Sequence, residues 1–339
     1  MDVGSIRRWP LAAGFLAVAL TLPMALQAAA GTLPLKQIAD VPLSGGTTRL
    51  DYESFDPRNG RLFIAHLGDS MVTVFDTGTD KVIGDIPDVG NVHGVLVVPE
   101  LDRVYASATK TDEVVAIDEH SLKIVARIPG GYYPDGMAYV PAQHKLYISD
   151  EAGATETVID TATNKRISTL QLGGEAGNTQ YDPISGHIFV NVQSGDGGLV
   201  EIDPQGDKIV ARYSLPGARG NHGLLIDSAD HLAFIACEDN DKLLAFDLDT
   251  KRVVSSFEVG SDPDVLGFDP GLHRLYVASE KGVVSVFGVE HGAVIKLGEG
   301  FLGDNSHVVA VDPRTHRVYF PLKDLDGHPA LRIMGPSQD

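Results

Sequence analysis

The chain has 339 residues and a single cysteine, Cys237, so no intrachain disulfide can form and the fold must rest on its core. Its formal charge is −19, a field that repels phosphate backbones and anionic lipid. With no basic run anywhere in the sequence, this argues against nucleic-acid binding and against docking on an anionic membrane surface. No CxxCH occurs, which excludes covalent haem c.

Residues 1–30 read as a cleaved export signal. Arg7 and Arg8 form a basic start, Leu11 to Leu26 is apolar, and Ala28-Ala29-Ala30 offers small residues for cleavage. Pro10 and Pro23 interrupt the apolar run, which is short for a bilayer span. The arginine pair leaves the Sec and Tat routes both open. The mature chain, residues 31–339, is expected to be periplasmic or secreted, with no membrane insertion and no feature that calls for more than a monomer.

From there the sequence repeats. Phe63, Tyr105, Tyr147, Phe189, Phe234, Tyr276 and Tyr319 recur at spacings of 42, 42, 42, 45, 42 and 43 residues. That period suits a four-stranded blade repeated seven times. In the first copy an apolar strand ends at the turn Asp56-Pro57-Arg58-Asn59-Gly60. Three further strands follow over Arg61–Ala65, Val72–Asp76 and Lys81–Ile86. Asp76, Asp118, Asp160, Asp203 and Asp247 close the third strands, where a carboxylate can accept from N–H groups of the next turn. Gly60, Asp102, His144, Gly186, His231, His273 and His316 share one turn column, a mixture that predicts a left-handed backbone and makes these histidines turn residues rather than ligands.

The seventh copy supplies a third strand at Leu331–Met334 and no fourth. Lys36–Pro42, at the start of the mature chain, resembles the fourth strand of the first copy. The expected fold is therefore an all-β, seven-bladed β-propeller of four-stranded antiparallel blades, its ring closed by the N-terminal strand joining the last blade.

The units Arg61-Leu62-Phe63-Ile64-Ala65 and Lys145-Leu146-Tyr147-Ile148-Ser149, followed by Val74-Phe75-Asp76 and Ala116-Ile117-Asp118, resemble the YncE-like, YVTN-type propellers of bacteria. Strict YVTN wording is absent; Tyr105-Ala106-Ser107-Ala108 and Tyr276-Val277-Ala278-Ser279 come nearest. The only tryptophan, Trp9, lies in the leader, which separates the chain from Trp-marked propellers. The resemblance implies an exported protein and supplies no catalytic motif.

In a propeller the first strand of each blade lines the channel. Five residues before the turn aspartate and its equivalents, the column reads Asp51, His93, Asp135, Gly177, His222, Asp264, His307, with Asn178 following the glycine. His93, His222 and His307, in blades two, five and seven, are candidate ligands for one axial ion of zinc, copper, iron or nickel. Asp135, Asp264 and Glu238 are candidate general bases. Asp51, Arg219, Asn178, Tyr133 and Asp150 are candidate ligand-binding residues. His66 is expected beside Asp51, Glu151 beside Asp135, and Cys237 beside His222, with Tyr132 walling the mouth. A solvated rim with no ligand fits the same column. No GxSxG or HExxH is present. Two readings remain: a face that binds a small molecule, a metal or a protein partner, and a metal-dependent hydrolase or lyase of the lactonase kind.

Overall fold

A computed structural model of the chain describes residues 1–2, 32–194 and 197–337. The leader reading falls on residues 1–30, almost all of it outside the described residues.

The strands form seven sheets of four, each meandering from the hub outward. Blades 1 to 6 span residues 53–86, 92–129, 134–171, 176–213, 221–258 and 263–301. Blade 7 takes Ala310–Asp312, Arg317–Leu325 and His328–Pro336, and its outer strand is Leu35–Pro42, antiparallel to the last of these. The expected closure is therefore present. It is clasped by Arg332, which donates through Nε and Nη2 to both oxygens of Asp40, each at 2.8 Å, and through Nη1 to the Leu302 carbonyl of blade 6. Across the other face of blade 7, Arg317 grips both oxygens of Asp80 in blade 1 at 2.9 Å.

The seven repeat-marking aromatics are all fully buried. They sit on second strands, where one face of each blade packs on its neighbour. The core accordingly lies between blades: Phe63, Val74 and Val92 pack with Val104 and Ile117, and Tyr276 and Val286 pack with Val318 and Phe320. Apolar burial on both faces of each middle strand is what makes those strands continuous runs of Val, Ile, Leu and aromatic residues.

The turn chemistry follows the sequence expectation. Asp76, Asp118, Asp160, Asp203 and Asp247 accept from turn N–H groups at 2.7–2.9 Å. Asp102, His144, His231, His273 and His316 all have φ between 50° and 58°, with Gly60 and Gly186 at 68° and 74°. Those histidines serve the backbone. Two of them also tie blades together, His231 to Asp182 and His316 to Asp269. Short 3₁₀ turns such as Leu67–Asp69 and Glu238–Asn240 follow several second strands, a detail the repeat pattern does not signal. Among the described residues no helix is long and apolar enough to cross a membrane.

Candidate functional site at the channel mouth

The inner strands of blades 2 to 6 share an irregularity. Their pairing with the second strand shifts register between Val92 and Val95, Pro134 and Met137, Ala176 and Thr179, Asn221 and Leu224, and Pro263 and Leu266. The residues inside each shift are those of the channel column: His93, Asp135, Gly177, His222 and Asp264. A bulge frees a residue from the ladder and re-aims its side chain, here at the mouth of the channel.

Two further devices set the geometry. Two residues before the column position the backbone is left-handed in five blades, at Asn91, Tyr133, Gly220, Asp262 and Asn305. In blades 2 and 7 that residue's carbonyl accepts from the histidine itself, His93 Nδ1 to Asn91 O and His307 Nδ1 to Asn305 O, both at 2.9 Å. This fixes the tautomer and makes Nε2 the acceptor nitrogen in each neutral ring. The second device is the glycine after the column residue. A Cβ at Gly94 would stand 2.1 Å from the Asp135 carbonyl oxygen, and one at Gly223 would stand 1.9 Å from that of Asp264. Only glycine lets neighbouring inner strands approach this closely, and the approach is what brings His222 to Asp264.

A cavity of about 470 Å³ opens there. Seven carboxyl groups line it: Asp51, Asp135, Glu151, Glu238, Asp262, Asp264 and Glu280. Against them the lining offers one guanidinium, Arg49, which binds Asp51 at 3.1 Å and Glu280 at 2.6 Å. Burial opposes its charge, but Asp51 and Glu280 hold it protonated well above its ordinary range. Tyr52 floors the cavity and donates to Asn178 Oδ1 at 2.7 Å, with His222 Nε2 at 3.3 Å. Tyr52 also lines a second, smaller cavity of about 150 Å³ lower in the channel, to which Asn178 belongs.

The donor atoms are spaced in an informative way. His222 Nε2 lies 3.6 Å from Asp264 Oδ1 and 3.8 Å from Asp135 Oδ2, and its Nδ1 lies 3.9 Å from Glu238 Oε1. His307 Nε2 lies 3.9 Å from Asp264 Oδ2. These separations are too long for hydrogen bonds. Donors sharing one ion, each bonded at about 2.1 Å, stand about 3–4 Å apart. His222 Nδ1, His307 Nε2, Asp135 Oδ1 and Asp264 Oδ1 are all buried without any hydrogen-bond partner. Such orphaned groups are rare in native interiors and call for a physical explanation.

Burial moves both kinds of group away from their charged forms. It pushes the Asp135 and Asp264 carboxyls well above the carboxylate range, with the Asp51 charge adding to the effect. Glu238 rises to about 7, through burial first and then the charges of Asp262 and Glu280. The same burial pulls His93, His222 and His307 down.

The candidate residues distribute as follows. Asp51, His93, Tyr133, Asp135, His222, Glu238 and Asp264 line the mouth. His307 is fully buried behind the wall. The equal convergence of three histidines does not occur: His93 Nε2 is engaged by the Tyr133 hydroxyl at 3.0 Å, and the two rings pack with centroids 5.0 Å apart. Among the described residues the compact donor groups are instead His222, Glu238 and Asp264, and Asp264, Glu280 and His307, each within 4.8 Å. Asp150 does not reach the site, because strand alternation turns it into blade 3, where it accepts from Gly131 N, Thr155 and Thr157. Arg219 lines a separate groove with Gln193 and Asp239. His66 is buried against Thr48, next to Ala65, whose carbonyl accepts from Asp51 N, Cys237 packs in the core between blades 4 and 5, and Tyr132 is an exposed residue.

Arg49, Tyr52 and Glu280 line the candidate site, and the column alone does not find them. Two signals point to the first and the last. Arg49 is the one cation among the residues two places before the column. Glu280 follows its second strand as Glu151 and Glu238 follow theirs.

No protein-family model and no curated protein matches the chain. Solved structures do. A chain of Kuenenia stuttgartiensis hydrazine synthase is 14% identical with a TM-score of 0.75, covering 88% of this chain and 97% of that one. The WD40 repeats of RRP9 are 10% identical with a TM-score of 0.76, covering 89% and 99%, and a chain of the mitotic checkpoint complex is 13% identical with a TM-score of 0.75, covering 97% and 100%. At such identities the likeness is one of fold, and it establishes the chain as a seven-bladed β-propeller.

Proposed function

We propose that the chain is an exported, YncE-like propeller whose channel mouth binds a divalent first-row metal ion through His222, Glu238 and Asp264. The observation that carries this reading is that one donor atom each from His222, Glu238 and Asp264 lies within 4.8 Å of the other two, with His222 Nε2 and Asp264 Oδ1 3.6 Å apart, beyond hydrogen-bond reach and at the spacing of donors on a common ion. Mixed nitrogen and oxygen donors suit Mn²⁺, Fe²⁺ or Zn²⁺. The acidic lining supports a cationic guest over an anionic one. Export rests on the leader pattern of residues 1–30 and the family resemblance on the repeat wording.

Titration of chelator-treated protein with Mn²⁺ and Zn²⁺ tests the site. Stoichiometric binding that is lost in His222→Ala and in Glu238→Gln is expected; no retention of either metal under any loading would overturn the reading. N-terminal sequencing of protein recovered from outside the cytoplasm tests export, with a start near residue 31 expected and an intact leader refuting it.

A second reading, hydrolase or lyase, is favoured by one arrangement: Asp135 presents an unpaired Oδ1 while its Oδ2 stands 3.8 Å from His222. A carboxylate so placed could take a proton from an ion-bound water. Metal-dependent turnover of a lactone or ester panel, abolished in Asp135→Asn with the metal retained, would support it, and its absence leaves a binding protein.

A further inference from the structure

We infer that the channel mouth holds a pair of divalent first-row metal ions, with Asp264 as the carboxylate that bridges them and His307 and Glu280 completing the second position. This rests on the metal reading above and goes beyond it in number, placement and chemistry.

The argument starts from Asp264. Its two oxygens face two different imidazoles, Oδ1 towards His222 at 3.6 Å and Oδ2 towards His307 at 3.9 Å. Neither distance is a hydrogen bond. A carboxylate with each oxygen turned to a separate nitrogen ligand is placed to span two ions, which in carboxylate-bridged pairs stand roughly 3.5–4 Å apart.

The second position has its own evidence. The His307 side chain is 1% exposed, and its Nε2 has no hydrogen-bond partner. Its Nδ1 is already spent on the Asn305 carbonyl, so the bare nitrogen is the one that faces Asp264. A buried imidazole lone pair left without a hydrogen-bond partner and aimed at a carboxylate is satisfied by a cation placed between them. Glu280 is the third donor, with an oxygen within 4.8 Å of donor atoms of Asp264 and His307, and it is held from outside: Arg49 donates to Oε1 and the Asn305 amide donates to Oε2. Hydrogen-bonded carboxylates and a histidine oriented through its other nitrogen are the supports that metal ligands ordinarily carry. Asn305 thus orients two of the three ligands, one through its left-handed backbone and one through its side chain.

The test is a Mn²⁺ titration of the whole metal-free protein followed by electron paramagnetic resonance. Wild type is expected to take up two ions per chain and to show an exchange-coupled spectrum at saturation. His307→Ala is expected to bind one ion with an uncoupled spectrum. Glu280→Gln, which changes no volume and lies at a partly exposed position, should weaken the second binding step about tenfold or more while leaving the first. His222→Ala removes the first position, and Asp264→Asn should abolish the coupling. One uncoupled ion per chain in wild type would overturn this inference and leave the single-ion reading standing; no ion would overturn both. Two coupled ions surviving in both His307→Ala and Glu280→Gln would overturn the placement of the second.

Discussion

Replacing Gly223 by alanine tests how the propeller builds its site. The added Cβ would stand 1.9 Å from the Asp264 carbonyl oxygen, whereas ordinary contact begins at 3.4 Å, so the inner strands of blades 5 and 6 must part by up to 1.5 Å. The obstacle is backbone, and no side-chain rotation relieves it. Overpacking of this kind costs about 1–3 kcal/mol. For a domain of this size that corresponds to a fall in Tm of about 2–6 °C. The larger effect falls on the site, because His222 and Asp264 are carried by the two strands forced apart. Displacement of reacting groups by about 1 Å can cost a factor of about 100 in rate, and a fall in Mn²⁺ affinity of that order is expected when the ligands are parted by as much. Gly78→Ala is the matched control: its nearest neighbour would be an Asp76 oxygen at 3.5 Å, and it lies in a blade turn. Calorimetric titration and thermal unfolding of both variants decide the matter. Unchanged metal affinity in Gly223→Ala, with Tm also unchanged, would refute the claim that close strand approach assembles the donors.

Arg332→Ala should lower stability by about 1–3 kcal/mol, since it removes a bidentate, largely buried grip on Asp40 and a bond to the Leu302 carbonyl; urea unfolding measures it. His231 gives a pH-dependent prediction. Burial opposes its charge, but hydrogen bonds to Asp182 and Asp249 hold its folded pKa above the ordinary 6.5, and among its bonds Asp182 is held below its ordinary 3.8. The histidine's contribution is therefore full below pH 6.5 and disappears as pH rises through the folded value, while that of Asp182 is present above pH 3.8 and disappears as pH falls. The Tm difference between wild type and His231→Asn, which keeps a residue tolerant of φ 52°, should be largest between these limits and shrink towards alkaline pH; a difference flat from pH 4 to 9 would count against it. Cys237 is fully buried, and burial pushes its thiol to about 11. It should resist a thiol reagent at pH 8 in the native protein and react fully in denaturant.

The fold was legible because a propeller writes its geometry as a period. The buried aromatics and the αL turn column each put residues of one chemical kind at one place in every copy, and the split last blade shows as the fourth strand missing from the seventh copy. The column of ionisable residues was legible for the same reason. What the period does not carry is reach. Whether His93 meets His222 depends on channel width and on a tyrosine from a neighbouring loop, and Tyr133 resolved that by engaging His93 first. Asp150 and Glu151 are adjacent in sequence, yet the pleat sends one into the blade and the other into the channel. Arg219 and Arg49 hold similar places before their columns, but Arg49 lines the mouth while Arg219 lines a separate groove. Such differences arise where the repeats deviate from one another, and a repeat pattern is blind to them.

The clasp between Leu35–Pro42 and His328–Pro336 pairs strands from opposite ends of the repeat array, and its Arg332–Asp40 grip joins residues 292 positions apart. Until synthesis has passed residue 336, strand Leu35–Pro42 has no partner, and blade 7 stands unfinished beside blade 1. Ring formation therefore waits on residues 328–336, and a slow, late-locking topology results. If the proposed export takes the Sec route, that delay would keep the polypeptide threadable while it is being made and moved, and would reserve assembly of the candidate channel-mouth site for its destination.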